Sequence, residues 1–300
     1  MANIPGQLVD IQGKNMHIQR MGHGEKTIVL LPGWDVRMSS LGPTLPTADF
    51  APLMRELSQN HTVCTIEFFG YGLSDCTDRP HTNENYVQEI RKALKLAGLK
   101  PPYVLMPYSS AGIYCEYYAA TYPEEIEALV LLDTLPTVEP FIDLLTFPEK
   151  KLEQLSVQKH SKFTIGLGVA LTKLILQIKG ERQAYIQEGY TKDEIVAMAG
   201  TPSHMGTVVA QMRALPDNLR EVLALEVELK LPILLLSSGQ TKEDARYQRY
   251  LNAYSEKLGE HAKHVFVDGS THVNIHGQRE FRRVICREID TFLKNLPNRQ

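Results

Sequence analysis

Ser109 stands where the apolar run Tyr103-Val104-Leu105-Met106-Pro107 ends and a helical pattern begins two residues later. An abrupt strand-to-helix turn lifts its middle side chain above a sheet. It also leaves the next N–H and the helix N-terminus beside any oxyanion that forms there. The stretch Pro107-Tyr108-Ser109-Ser110-Ala111 is a relaxed G-x-S-x-G, with Pro and Ala where the glycines usually stand. The bare pattern is weak, because serines between small residues are common, and the competing reading is a helix N-cap serine. The flanks favour a nucleophile. Val104 to Met106 suits a buried parallel strand, and from Ala111 the residues Ile113, Tyr114, Tyr117, Tyr118 and Ala120 recur at helical spacing until Tyr122-Pro123.

A serine hydroxyl attacks a carbonyl only with a neighbouring base and a group that orients that base. His272, in Asp268-Gly269-Ser270-Thr271-His272 just before the last helix, is the expected base, with His276 as its rival. Asp133 ends the run Leu129-Val130-Leu131-Leu132 and is the expected acid, although an Asp there could instead cap the first turn of the insertion. The other place for an acid is the loop after Leu236, where Asp244 is the alternative, while Asp268 more plausibly fixes its own loop. Loops after parallel strands gather at one sheet edge, which would bring Ser109, Asp133 and His272 into one crevice. Two N–H groups must converge on the oxyanion. Ser110 supplies one, and Trp34, after Pro32-Gly33, is the candidate for the other. Trp34 is also the sole tryptophan, and its ring could wall the site or simply pack under the insertion.

The scaffold around these residues is legible in the apolar pattern. Leu8 to Ile11 and Met16 to Arg20 read as an edge hairpin, and Thr27 to Leu31 as a buried strand. A helix around Phe50 to Ser58, a strand Thr62 to Glu67, a helix Asn83 to Ala97, the strand before Ser109, its helix, and the strand Ala128 to Leu132 then alternate. Such alternation implies a mostly parallel central sheet flanked by helices, an α/β architecture. After Asp133 the pattern changes. Phe141 to Leu155, Phe163 to Lys179, Arg182 to Glu188, Lys192 to Ala199 and Leu219 to Val227 read as helices, before strands resume at Ile233 to Ser237 and His264 to Val267 and a helix Glu280 to Leu293 closes the chain. The expected organisation is a core of residues 1–135 and 230–300 with a helical cap, 136–229.

With 300 residues, 43% of them hydrophobic, the chain can bury a full core. A net charge of −3 without like-charge blocks argues against nucleic acid as a partner. Cys64, Cys76, Cys115 and Cys286 lack metal or C-x-x-C spacing and read as buried free thiols, which suggests a reducing compartment. The first residues lack the basic start and apolar core of a secretory signal, so the expected location is the cytoplasm. Phe163 to Ile178 is interrupted by Gly166, Gly168, Thr172 and Lys173 and is too short for stable membrane insertion. No cofactor or metal is implied.

In order along the chain, Pro32-Gly33-Trp34, Glu67-Phe68-Phe69-Gly70-Tyr71-Gly72-Leu73-Ser74, the turn at Ser109, Tyr122-Pro123, Leu129 to Asp133 and Gly269 to His272 resemble the motifs of the α/β-hydrolase superfamily. The resemblance covers the whole chain apart from the details of the insertion. It implies a cap after the strand ending at Asp133 and the nucleophile–acid–base order Ser109, Asp133, His272, with Ser110 and Trp34 forming the oxyanion hole. Pro32, Pro107 and Tyr108 depart from the usual His, Gly and His of the family. The expected activity is hydrolysis of a small, apolar ester or related acyl compound through an acyl-enzyme. Carbon–carbon or lactone hydrolysis, a lyase or cofactor-free oxidoreductase using the same triad, and a ligand-binding member without turnover remain open. A serine nucleophile argues against haloalkane dehalogenases and soluble epoxide hydrolases, which carry Asp there.

Overall fold

Residues one apart in a strand point to opposite faces, and in this chain both faces of the central strands are apolar, so helices must cover both. The computed structural model describes residues 5–33, 45–156, 170, 173–174, 191–200 and 205–296. Eight strands, β1 (Gln7–Ile11), β2 (Lys14–Met21), β3 (Thr27–Leu31), β4 (Thr62–Glu67), β5 (Tyr103–Pro107), β6 (Ile126–Leu132), β7 (Ile233–Ser238) and β8 (Ala262–Val267), form one sheet in the order β1-β2-β4-β3-β5-β6-β7-β8. The β1–β2 and β2–β4 pairings are antiparallel and those from β4 to β8 are parallel. The winding reverses at β3, which lies between β4 and β5, and a ligand crevice in an open α/β sheet forms at such a switch.

Val29, Leu31, Ile66, Leu105, Leu129, Leu131 and Leu235 bury one face against the helices Asn83–Leu96 and Ala111–Thr121. Ile28, Leu30, Val63, Val104, Met106, Val130, Leu132 and Leu236 bury the other against Ala51–Leu57 and Arg279–Lys294. In the last helix, Phe281, Ile285, Ile289 and Leu293 recur every four residues, the stripe that pins it to the sheet. Thr82 caps Asn83–Leu96 by accepting the Asn85 N–H. Cys64 and Cys115 are buried free thiols, and burial pushes the Cys64 thiol up to about 12. Cys76, expected to be buried, is exposed because it follows the turn after β4 rather than a strand.

Between β6 and β7 the described residues contain helices and no strand. Two helix boundaries differ from those the sequence suggests. The stretch 141–155 is not one helix: a helical turn ends at Leu145, Thr146-Phe147-Pro148 interrupts, and Glu149–Ser156 restarts. Proline disfavours helical backbone in the residue before it and suits the start of the next helix. Conversely, the expected helix from Leu219 begins at Met205 and runs through Pro216 to Ala224. Buried Val209, Met212, Leu215 and Leu219 hold it together where the proline removes a backbone bond. The expected helices Phe163 to Lys179 and Arg182 to Glu188 lie outside the described residues, apart from 170, 173 and 174.

Polar clamps join the segment between β6 and β7 to residues that precede it in the chain. Arg55 donates to both carboxylate oxygens of Glu194, at 2.6 and 3.0 Å, while Thr191 and Glu194 form a reciprocal capping box. Gln211 bridges the Tyr71 and Tyr86 hydroxyls, and Asn218 accepts the Asn83 N–H at 3.2 Å.

Glu89, in the helix Asn83–Leu96, is buried and pairs with Arg79 at 3.1 Å. Burial pushes its carboxyl up to about 7, partly offset by Arg79. Between pH 4.5, where this carboxyl ionises ordinarily, and pH 7, the unfolded chain is charged there while the folded chain keeps its proton, so stability falls as pH rises. The total is on the order of 3 kcal/mol at 1.36 kcal/mol per pKa unit. Urea midpoints should therefore decline from pH 5 to 7.5 and do so less steeply in Glu89→Gln; parallel profiles would refute this.

Candidate active site

Ser109 follows β5 with φ 56°, a left-handed conformation unusual for a residue with a side chain. Three backbone bonds hold it there. Its N–H donates to the Leu132 carbonyl at 3.3 Å, and its own carbonyl accepts the N–H groups of Gly112 and Leu135, each at 3.2 Å. The helix Ala111–Thr121 starts immediately afterwards, with Ser110 as its N-cap residue. Ser109 thus occupies the turn rather than the cap.

Gly33 approaches this turn from the end of β3. A Cβ at Gly33 would lie 2.6 Å from Ser109 Cβ and 2.8 Å from the Tyr108 carbonyl oxygen, so no larger residue fits without moving backbone. Gly33→Ala should destabilise the fold by about 1–3 kcal/mol. Any turnover at Ser109 should fall by roughly 10- to 100-fold through displacement of the elbow. Thermal unfolding and ester kinetics on that variant check both, and an unaltered rate would separate Gly33 from the site.

Asp133 directly follows β6, with φ 44°. Its N–H donates to the Leu236 carbonyl at 2.7 Å, tying its backbone to β7. The side chain is buried, and its Oδ1 accepts the Ser238 N–H at 2.7 Å while Oδ2 lies 2.7 Å from His272 Nδ1. A carboxylate can only accept, so Nδ1 is the protonated nitrogen and Nε2 is free to accept from a hydroxyl. Ser109 Oγ lies 3.1 Å from that Nε2. The imidazole is partly open to solvent, 41% exposed, as a base that must reach substrate and water requires.

The rival residues are engaged elsewhere. His276 is buried, with Nε2 3.0 Å from Asp49 Oδ2 and its ring against Phe50 and Tyr108. Asp244 caps the helix Ala245–Leu258, accepting the N–H groups of Arg246 and Tyr247 at 2.9 and 3.2 Å. Asp268 pairs with Lys242, in the helix Gly239–Glu243, at 2.9 Å. Trp34 lies outside the described residues. Of the aromatics Phe141, Phe147, Phe163, Tyr185 and Tyr190 between β6 and β7, Phe141 packs edge-on against Tyr247 and Tyr250, Phe147 packs against the cluster of Leu152, Val208, Val209 and Met212, and the other three lie outside the described residues.

Several supporting groups are not apparent from residue type alone. Ser238 fixes the Asp133 carboxylate through its backbone N–H, a contact to which any residue there could contribute. Tyr247 is half-buried near Asp133, and desolvation, with that carboxylate adding to it, pushes its phenol far up, so it stays neutral. Glu67, fully buried at the end of β4, accepts the N–H groups of Thr47 at 3.1 Å and Leu73 at 2.6 Å, joining the helical turn Pro46–Asp49 to the turn after β4. Its place in the glycine-containing turn Glu67 to Ser74 is the signal that could have marked it as an organiser.

Comparison with known proteins finds similarity to α/β hydrolases. The sequence model of the alpha/beta hydrolase fold family matches residues 26–161. An uncharacterized protein, YbdG, of Bacillus subtilis is 34% identical over 128 residues, 43% of this chain and 37% of that protein. The serine hydrolase BPHL of Mus musculus is 33% identical over 126 residues, 41% of this chain and 40% of its own length. A pimeloyl-[acyl-carrier protein] methyl ester esterase of Xylella fastidiosa is 28% identical over 121 residues, 40% of this chain and 41% of that enzyme. The matched stretch thus spans about two fifths of these relatives. Among solved structures, MGS-M2, an alpha/beta hydrolase enzyme from a Medee basin deep-sea metagenome library, superposes with a TM-score of 0.65 at 15% identity, covering 98% of this chain and 99% of that one.

Proposed function

We propose that this chain, which belongs to the α/β-hydrolase superfamily, is a serine hydrolase that cleaves a small ester or related acyl compound through an acyl-enzyme. The observation that carries the reading is the unbroken hydrogen-bonded run from Asp133 through His272 to Ser109, ending on a serine held in left-handed backbone at a strand-to-helix turn. The names of two partial relatives, a serine hydrolase and a methyl ester esterase, support the same class.

In this reading Ser109 Oγ bonds to the acyl carbon while its proton passes to His272 Nε2, and the carbonyl π pair moves onto oxygen. Asp133 keeps the Nδ1 proton in place and favours the imidazolium. The Ser110 N–H, at the positive end of its helix, faces the developing oxyanion, and Trp34 N–H is the second donor. His272 then gives its proton to the leaving alkoxide. A water deprotonated by the same Nε2 cleaves the acyl-enzyme and restores Ser109. The insertion supplies the apolar walls of the substrate site and acts as its cap. The buried free thiols Cys64 and Cys115 favour a reducing compartment, the cytoplasm. Among the described residues no helix is long and apolar enough to cross a membrane.

A fluorophosphonate probe and a panel of short-chain p-nitrophenyl esters test the reading. The expected result is an adduct on Ser109 together with ester turnover. An adduct without turnover would redirect the substrate to a lactone or an activated carbon–carbon bond, and neither adduct nor turnover would point to a ligand-binding role.

A further inference from the structure

Tyr108 lies directly before the nucleophile, yet its side chain is committed to the base. Its hydroxyl donates to the main-chain carbonyl of His272, and its ring lies against the His272 imidazole with centroids 4.8 Å apart and planes 15° from parallel. One residue thus holds both the backbone and one ring face of the histidine. The phenol is itself braced by Phe50 and His276, at 6.0 and 4.9 Å, both edge-on, and His276 is anchored to Asp49.

We propose that Tyr108 is a positioning residue for His272: its ring, clipped to the His272 carbonyl, holds the imidazole in line with Ser109 and stabilises the imidazolium formed when Ser109 gives up its proton. This rests on the serine-hydrolase reading above. An aromatic face carries partial negative charge and attracts a cation lying over it, so the stacked ring interacts more strongly with imidazolium than with neutral imidazole. The proton moves from Ser109 Oγ to Nε2 and returns later, so the ring only changes how the charge is distributed between ground and transition state. The other groups facing His272 are Asp133 at Nδ1, Ser109 at Nε2 and Gln240, whose Oε1 accepts the His272 N–H at 3.4 Å. Behind them stand Tyr247 near Asp133, the His276–Asp49 pair behind Tyr108, and the exposed Lys242–Asp268 pair on the flanking loop. Of these, the His276–Asp49 pair also touches the Tyr108 ring, through His276.

The test is the pH dependence of the second-order rate of fluorophosphonate labelling at Ser109, which needs no knowledge of the substrate. Tyr108→Leu and Tyr108→Gln both remove the ring, the second keeping a hydrogen-bond donor on a shorter side chain, and Tyr108→Phe keeps the ring without the hydroxyl. Ring loss should slow labelling about 5-fold and move the acidic limb down by about 0.7 pH unit in both ring-less variants. Tyr108→Phe should keep the limb within about 0.2 unit of wild type. Thermal midpoints identify any variant that fails to fold, and the remaining ring-less variant then decides. An unmoved limb in the ring-less variants, or an equal shift in Tyr108→Phe, would overturn the proposal while leaving the hydrolase reading intact. Failure of the wild-type protein to label at Ser109 would overturn the hydrolase reading, and this inference with it.

Discussion

Ser109→Ala is expected to lower ester turnover by about 10⁴-fold or more while shifting unfolding free energy by no more than about 1 kcal/mol. The asymmetry follows from the local geometry. Ser109 is buried in a left-handed turn, but its backbone position rests on bonds to Leu132, Gly112 and Leu135 that alanine keeps. Both residues carry a Cβ, so the φ of 56° costs alanine no more than serine. What alanine removes is Oγ, whose hydrogen bond in the resting protein is the 3.1 Å contact with His272 Nε2. Kinetics on the most active ester, with a thermal melt of the same preparation, separate the effects. A melt lowered as severely as the rate would indicate a structural serine, and residual turnover near wild type would remove Ser109 from the chemistry.

Asp133→Asn should cost nearly as much, about 10³- to 10⁴-fold in kcat, by way of the histidine tautomer. The Ser238 N–H at 2.7 Å requires an acceptor, so the introduced amide turns its oxygen that way and presents its NH₂ to His272 Nδ1. Nδ1 must then accept, which places the imidazole proton on Nε2, facing Ser109, where a base is needed. The matched control is Asp244→Asn. Asparagine caps a helix about as well as aspartate, so both rate and stability should stay near wild type. Measuring the two variants side by side assigns the acid. A rate for Asp133→Asn equal to wild type would place the orienting carboxylate elsewhere.

The local devices of this protein are legible in its residues alone. An apolar run broken by a serine between small residues, and another ended by Asp133, stand out because a buried parallel strand requires a continuous apolar stretch and its end requires polar or small residues. The alternation of strand and helix, the all-helical content of the described residues between β6 and β7, and the amphipathic last helix are likewise short-range patterns. Whatever depends on partners distant in sequence was settled only by folding. His272 and Asp133 are 139 residues apart, and His272 and Ser109 are 163 apart, and they meet through the sheet order β5-β6-β7-β8. His272 and His276 are four positions apart in one turn, and only packing sends one to Asp133 and the other to Asp49 beside Phe50. Pro216 looks like a helix boundary because local propensity opposes it, whereas the buried face of residues 205–224 outweighs that cost. The same holds for Tyr108. In sequence it extends an apolar strand, and its hold on the histidine of the candidate site exists only because the loop after β8 folds back over the end of β5.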